Sequence, residues 1–227
     1  MLKIIAQFLI LATSFQLLAN VDVQTLSKNS RGKTFADIVA SAGFSRKETL
    51  KLISDPVVPR RMSITPGERF LVLKNQDSGR TEARFYLDYT DEALVFWRQG
   101  EEFGVSKQPV QFEVQKRTVE GQILGSLISS ITNRISAEWA AFRFSDAFSW
   151  DLNVLQKLSK KDTFRFTIEE KYDQGKFIKY GEILDAQLQT KDGTFRRILW
   201  TNESTKVFVD PESRFDDRPF YSPVEYV

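Results

Sequence analysis

Two kinds of side chain are missing from the sequence. None of its 227 residues is His or Cys. Most zinc, copper and haem sites take their ligands from these residues, and so do most general bases and thiol nucleophiles. Disulfide bonds are excluded as well. The sequence therefore predicts no metal or other cofactor held by this chain, and it leaves only carboxylate, Ser/Lys or Tyr chemistry as routes to catalysis.

A strong net charge is also missing. The chain has 32 Lys and Arg against 30 Asp and Glu, so no basic field is available to hold a nucleic acid. Apolar residues are plentiful at 41%, and they include 19 Phe and 4 Trp. Such bulky side chains can fill a packed core. The composition predicts a folded protein of one or two domains, without a nucleic-acid partner.

The amino terminus has the pattern of an export signal. Lys3 precedes an apolar run from Ile4 to Leu18, and the small residue Ala19 precedes the polar Asn20. This order is typical of a secretory signal peptide, and the polar interruptions in the run make it a poor membrane span. We expect residues 1–19 to be removed, leaving no stable membrane span, and the protein to act in the periplasm or cell envelope.

Residues 20–79 are expected to form a small α+β module. The segment Val21–Leu26 would be its opening strand, and the apolar residues from Phe70 to Leu73 mark a second, buried strand. Two short helices are expected between them, and the pair Ser45 and Glu48 forms a capping box for the second helix. The order strand, helix, helix, strand resembles a LysM domain, the small fold that holds the glycan chains of peptidoglycan.

Residues 80–227 are expected to form a mostly antiparallel β domain with a helical insert. Period-two alternation, as in residues 164–168, predicts strands, and residues 191–193 predict a hairpin turn of the Asp-Gly kind. The insert has apolar residues at helical spacing, and we expect its aromatic side chains, including Trp139 and Phe144, in the core. The predicted fold class is therefore α+β.

The order of short motifs in this second region resembles a known family. The motifs, in order between residues 121 and 224, are GQILGSL, SDAFSWDLNV, LSKKDTFRFTIEE, YGEILDAQL, VDPESR and RPFYSPV. Together with the LysM-like module, they resemble the N-terminal region of lysostaphin-type zinc murein endopeptidases of the cell-shape-determining type. The resemblance covers roughly residues 30–227.

The resemblance implies a function for the chain. In that family the N-terminal modules precede a catalytic domain that holds zinc with histidines and an aspartate, and they can cover its active-site groove and help it find the wall. Because this chain has no His, the resemblance implies a non-catalytic regulatory and wall-targeting region. Its partners would be peptidoglycan and a zinc endopeptidase domain, in cis beyond Val227 or in trans. A protease fragment and a naturally shortened relative both remain open.

Five residues are candidates for contact with a glycan or with the groove of such a domain. The carboxylates Glu48, Asp55 and Glu68 lie in the first module, and a carboxylate can approach a metal ion. The aromatic rings of Tyr86 and Trp97 can stack on sugar rings. Each carboxylate also has a simpler role, as a cap, a helix terminator or a turn residue, and each ring as a packing residue. No catalytic, cofactor-binding or metal-binding residue is assigned.

Two other function classes remain as alternatives. One is a free-standing peptidoglycan-binding or scaffold protein of the cell envelope. The other is a periplasmic hydrolase that uses paired carboxylates. Glu169 and Glu170 are adjacent, and Glu182 and Asp185 are three positions apart, so on regular strands the members of each pair point to opposite faces. This geometry disfavours the hydrolase.

Overall fold

The computed structural model describes residues 21–26, 35–59, 70–87, 90–149, 152–202 and 205–212. In these ranges the chain is mostly antiparallel β-sheet with a few helices, in agreement with the predicted α+β class. No helix within these ranges is long and apolar enough to cross a membrane. The expected signal peptide, Glu68 and the RPFYSPV motif lie outside them.

The first of two compact units contains the described residues up to Glu113 together with Lys171–Lys179. Its five strands form one antiparallel sheet in the order β1-β2-β3-β4-β5. The elements are β1 (Val21–Leu26), α1 (Phe35–Ser41), α2 (Arg46–Ile53), β2 (Phe70–Asn75), β3 (Thr81–Tyr86), β4 (Glu92–Gln99) and β5 (Glu102–Pro109).

Strand β2 is buried on both of its faces. Phe70 and Val72 join a core cluster that includes residues of α1 and α2, whereas Leu71 and Leu73 pack with Ile178 in a separate cluster. Because successive side chains of a strand point to opposite faces, this explains the unbroken apolar run in the sequence. The predicted order strand, helix, helix, strand is present, with β1 antiparallel to β2. The LysM-like identity of this region stays a prediction.

The compact units divide the chain differently from the expected boundary between residues 79 and 80. Strands β2 and β3 are hydrogen-bonded neighbours on either side of that boundary, from Phe70↔Phe85 to Lys74↔Thr81, and β4 and β5 extend the same sheet. A sheet loses its ladder hydrogen bonds if it is cut between neighbours. The segment 80–113 therefore belongs with the first unit.

The second unit contains Val114–Glu170 and the described residues from Tyr180 onward. Its sheet has five strands in the order β10-β9-β8-β7-β6. The elements are β6 (Glu113–Gln122), α3 (Leu127–Ile135), α4 (Glu138–Ala147), α5 (Leu152–Gln156), β7 (Thr163–Asp173), β8 (Lys176–Thr190), β9 (Gly193–Thr201) and β10 (Lys206–Val209). The tip of the β7–β8 hairpin is the segment Lys171–Lys179 that counts with the first unit.

Aromatic side chains of α4 and β7 form the centre of the second unit. Phe144 lies 5.4 Å from Phe166 and 6.2 Å from Phe164 between ring centroids, and all three are fully buried. The prediction for Trp139 was wrong, because this side chain is 45% exposed. The helix buries the face that carries Ala140 and Phe144, and Trp139 falls outside that stripe.

Candidate functional site

Glu48 is the N3 residue of the capping box at the start of α2, whose N-cap is Ser45. Its carboxylate accepts a hydrogen bond from the Ser45 backbone N–H at 2.6 Å, and the Ser45 hydroxyl accepts one from the Glu48 N–H at 3.3 Å. This reciprocal pair is the predicted capping box. The Ser45 backbone hydrogen bond, followed by that of the Ser45 side chain, lowers the pKa of Glu48 below its ordinary value. The charged carboxylate is therefore already engaged by its own helix.

The other two predicted carboxylates give no cluster with Glu48. Asp55 follows α2, and its Oδ1 accepts a hydrogen bond of 2.9 Å from the Val57 N–H, closing a local turn. Glu68 lies outside the described residues. In the described ranges there is no group of three or more Asp, Glu, His or Cys side chains that could hold a metal ion.

Trp97 lies flat across the edge of the first unit's sheet. Its cross-strand partner on β5 is Gly104, and a Cβ at that position would come within 3.0 Å of the indole ring. The Arg80 guanidinium covers the ring at 5.0 Å from its centroid, a cation–π contact. One side of the indole is thus packed on the strand, and a cation lies against the ring.

Tyr86 is part of a polar network that was not foreseen from the sequence. Its hydroxyl donates a 2.6 Å hydrogen bond to Oδ2 of Asp173, which also accepts one of 2.9 Å from Nη1 of Arg84. Arg84 in turn pairs with Glu82, and Glu82 with Arg80. The network therefore runs without a break from Asp173 to the cation that covers Trp97.

Burial controls the protonation of this network. Burial, followed by the hydrogen bond to Asp173, raises the pKa of Tyr86 well above its usual range. Burial opposes the charge on Arg84, but attraction to Asp173 and Glu82 outweighs it and raises the guanidinium pKa. Tyr86 is therefore held as a neutral donor and Arg84 as a cation. The arrangement fixes the hairpin tip within the first unit and presents no reactive group.

The four predicted contact residues that the structure describes lie on or next to different elements of the first unit. Tyr86 and Trp97 share one face of the sheet, because Tyr86 pairs with Ala93 and Glu82 with Trp97, whereas Glu48 lies on a helix. Their role in binding a glycan or a protease groove stays a prediction. Asp173 was missed because its partners lie 87 and 89 positions away in the chain, and the local pattern shows only a turn.

The carboxylate pairs weighed for a hydrolase are engaged in structural contacts. Glu170 pairs with Arg117 at 3.0 Å, and a Glu169 oxygen accepts a hydrogen bond from the Glu182 N–H at 3.1 Å. The Glu182 carboxylate pairs with Lys206 at 2.7 Å. Asp185 pairs with Arg196 on the neighbouring strand. These contacts supply no unengaged pair for acid–base chemistry.

The second unit contains a polar cavity of about 490 Å³ at one end of its sheet. Three adjacent strands and one helix line it. The lining residues are Glu120, Gly121, Arg134, Thr163, Phe164, Arg165, Gln187 and Gln189. None of these was among the predicted contact residues, since they come from four separate segments whose local patterns indicate only strands and a helix end.

Gly121 shapes this cavity. A Cβ at this position would lie 2.9 Å from Cζ of Phe164 and 3.1 Å from Nε of Arg134. Phe164 is fixed in the aromatic core, so it has little room to yield. The bare glycine therefore allows the Arg134 guanidinium, from the last turn of α3, to lie close against the edge strand β6.

Known proteins are similar to the chain at low identity. The peptidoglycan DD-endopeptidase ShyC of Vibrio cholerae serotype O1 is 23% identical over 179 residues, which are 75% of this chain and 34% of that protein. Csd3 of Helicobacter pylori, in its hexagonal crystal, has a TM-score of 0.52 at 13% identity, covering 82% of this chain and 50% of Csd3. In its orthorhombic crystal, Csd3 has a TM-score of 0.52 at 14% identity, covering 83% of this chain and 50% of Csd3. No protein-family model matches.

The chain thus spans about a third of the curated relative and half of the Csd3 chain. At these identities the structural likeness concerns the fold alone. The sequence is similar to a peptidoglycan endopeptidase over three quarters of its length, and its fold is that of part of Csd3.

Proposed function

We propose that this chain is a non-catalytic regulatory and cell-wall-targeting region of, or acting on, a zinc murein endopeptidase, and that it takes part in peptidoglycan remodelling. The observation that carries the proposal is the similarity of 75% of the chain to a peptidoglycan DD-endopeptidase. The motif order from Gly121 onward points to the same family.

Chemistry supports assigning regulation rather than hydrolysis to these residues. Zinc peptidases bind their metal through His with Asp or Glu, and the 227 residues include no His. Among the described residues, the carboxylates of Asp173, Glu182 and Glu48 are bound by an Arg, a Lys and a backbone N–H group, respectively. We therefore assign binding, steering or restraint to this chain, with the zinc ligands supplied by another domain, in cis or in trans.

The proposal includes location. The expected export signal at residues 1–19 and the similarity to a peptidoglycan endopeptidase both favour the periplasm or cell envelope. The strand, helix, helix, strand order of β1, α1, α2 and β2 supports a LysM-like role in glycan contact. The rings of Tyr86 and Trp97 and the carboxylates Glu48, Asp55 and Glu68 remain the proposed contacts.

The test is digestion of purified sacculi by a separate zinc endopeptidase domain, with and without the full chain. We expect the chain to slow release of soluble muropeptides in proportion to its concentration. A parallel digestion by lysozyme, which cuts glycan strands, is the control. Slowing of the endopeptidase alone indicates restraint of the protease, and unchanged endopeptidase digestion at saturating chain overturns the regulatory proposal.

The same samples address the alternatives. Sedimentation of the chain with sacculi, without any effect on the endopeptidase, favours the free-standing peptidoglycan-binding or scaffold protein. Release of reducing sugar by the chain alone revives the hydrolase. Binding to sacculi together with slowed endopeptidase digestion supports both parts of the proposed function.

A further inference from the structure

We propose that the polar cavity of the second unit binds the free carboxylate end of a peptidoglycan stem peptide. This inference deepens the proposed function and rests on it for the source of the peptide. The cavity lies wholly within the second unit. Its volume of about 490 Å³ falls in the range of about 300–1,000 Å³ typical of small-molecule sites.

The charges of the cavity favour an anion. Arg165 and Glu120 pair loosely at 4.0 Å, with side chains 63% and 72% exposed, so they largely offset each other and add little stability. Arg134 has no ion pair with another residue of the described ranges. One guanidinium is therefore left to bind an incoming anion, and its planar fork suits a carboxylate.

The position of Arg134 is set by the fold. It comes from the last turn of α3 and lies against the bare backbone of Gly121, 3.1 Å from where a Cβ would stand. The side chain is exposed, so the fold places this cation at the cavity wall and leaves it open to solvent and to a ligand.

The opposite wall suits a peptide. Gln187 and Gln189 alternate with the buried Ala186 and Leu188 along β8, so both amides lie on one face of the strand. Each amide offers a carbonyl acceptor and two N–H donors, and no hydrogen bond joins either to another residue of the described part of the chain. Two amides beside this cation can recognise the peptide groups that precede a terminal carboxylate.

Stem peptides meet these requirements. They are short, they carry free carboxylates, and they carry an amino group that can donate a hydrogen bond to the Glu120 carboxylate at the rim. A glycan strand freed of its peptides still carries lactyl carboxylates and acetamido groups, but these stand on sugar rings and not at the end of an extended peptide backbone. The cavity therefore selects for the peptide part of the wall, the same part that an endopeptidase cuts.

The experiment is calorimetric titration of the full chain with a tetrapeptide released from purified peptidoglycan. Two further probes are the same tetrapeptide with its C-terminal carboxylate amidated, and a peptide-free glycan oligomer. We expect binding of the free tetrapeptide, at least about tenfold weaker binding of its amide, and no binding of the glycan in this cavity.

The matched variants are Arg134→Gln in the cavity and Arg196→Gln on β9 outside it, which remove the same charge from the same unit. We expect Arg134→Gln to weaken tetrapeptide binding by at least about tenfold and Arg196→Gln to leave it within about twofold. Gln189→Glu is a second cavity variant at an exposed position. It should weaken binding through repulsion without disturbing the core.

The outcomes separate the inference from the proposed function. Equal binding of the acid and the amide, or equal binding by the wild type and both cavity variants, overturns the cavity assignment even when the wild-type chain slows the endopeptidase. Selective tetrapeptide binding that is lost in Arg134→Gln and Gln189→Glu supports it, whether or not digestion is slowed. The digestion assay alone decides the regulatory proposal.

Discussion

The two compact units are built on similar sheets, but they differ in the side chains that pack on those sheets. Each is built on a five-stranded antiparallel sheet with helices. In the first unit, one sheet face holds a network of Tyr86, Arg84 and Asp173 beside a small apolar cluster. In the second, α4 and β7 join through Phe side chains. Both units have an apolar core, and the first unit adds a polar network, whose contribution depends on the geometry of its partners.

The largest expected effect is a loss of volume in the second unit. We expect Phe144→Ala to lower the free energy of unfolding by about 3–5 kcal/mol, because the fully buried ring leaves a cavity that its neighbours cannot fill. Urea denaturation measures the loss in free energy of unfolding, and hydrogen exchange of strands β7–β10 shows which part of the protein is destabilised. Phe142→Ala, on the same helix but 50% exposed, should stay within about 0.5 kcal/mol of wild type. Equal losses in both would contradict the aromatic core.

The next effect is expected in the first unit. Asp173 is 6% exposed and holds both Arg84 and Tyr86. Asp173→Asn should cost about 2–3 kcal/mol, because a half-buried cation loses one of its two countercharges. Hydrogen exchange should rise in β2 and β3 and stay unchanged in α4. A rise in α4 as large as that in β2 and β3 would show that the two units do not respond separately.

A smaller effect tests how tightly the second unit is packed at its cavity. Gly121→Ala should cost about 1–3 kcal/mol, since the new Cβ would lie 2.9 Å from a core Phe ring. Gly125→Ala is the matched control, because its nearest neighbour would be Ser129 Oγ at 3.8 Å. Thermal unfolding of both variants provides the comparison. A control as unstable as Gly121→Ala would point to backbone strain in place of crowding.

The smallest effect is a pH dependence at the cap of α2. The folded-state pKa of Glu48 lies below its ordinary value of 4.5, so its contribution to stability is present above that pH and is lost as the pH falls through the folded-state pKa. At pH 7 Glu48→Gln should be less stable than wild type by about 0.5–1 kcal/mol, and the gap should close in acid. Urea midpoints at pH 7 and pH 3 measure it. If the stability difference between wild type and Glu48→Gln were larger at pH 3 than at pH 7, the inferred lowering of the Glu48 pKa would be wrong. The variant Glu102→Gln, at an exposed position, is the control.

Local sequence signals predicted much of the fold. The Ser45–Glu48 capping box and the hairpin turn at residues 191–193 are both present, because each is decided by neighbours in the chain. Trp139 was misplaced because two helix faces compete and only tertiary packing decides which one is buried. A change in periodicity likewise does not reveal which strands pair, so it could not show that β2 and β3 are neighbours on either side of residue 79.

The cavity and the polar network were beyond sequence patterns. Arg134 and Gln189 are ordinary polar residues of a helix end and a strand, and only the tertiary fold brings them to one cavity. The local sequence around Asp173 indicates only a turn. Its hydrogen bond with Tyr86 is visible only in the folded structure. Residues that come together from distant segments leave no local periodicity to detect.

The discontinuous make-up of the first unit sets an order of events during synthesis. A chain that has emerged only as far as Glu113 already has all five strands of its sheet, but Leu71 and Leu73 still lack Ile178, and Arg84 and Tyr86 still lack Asp173. Until some sixty further residues are made, one apolar sheet face stays uncovered and Arg84 has only Glu82 as an acidic partner. During this delay, holding chaperones have an exposed apolar surface to bind.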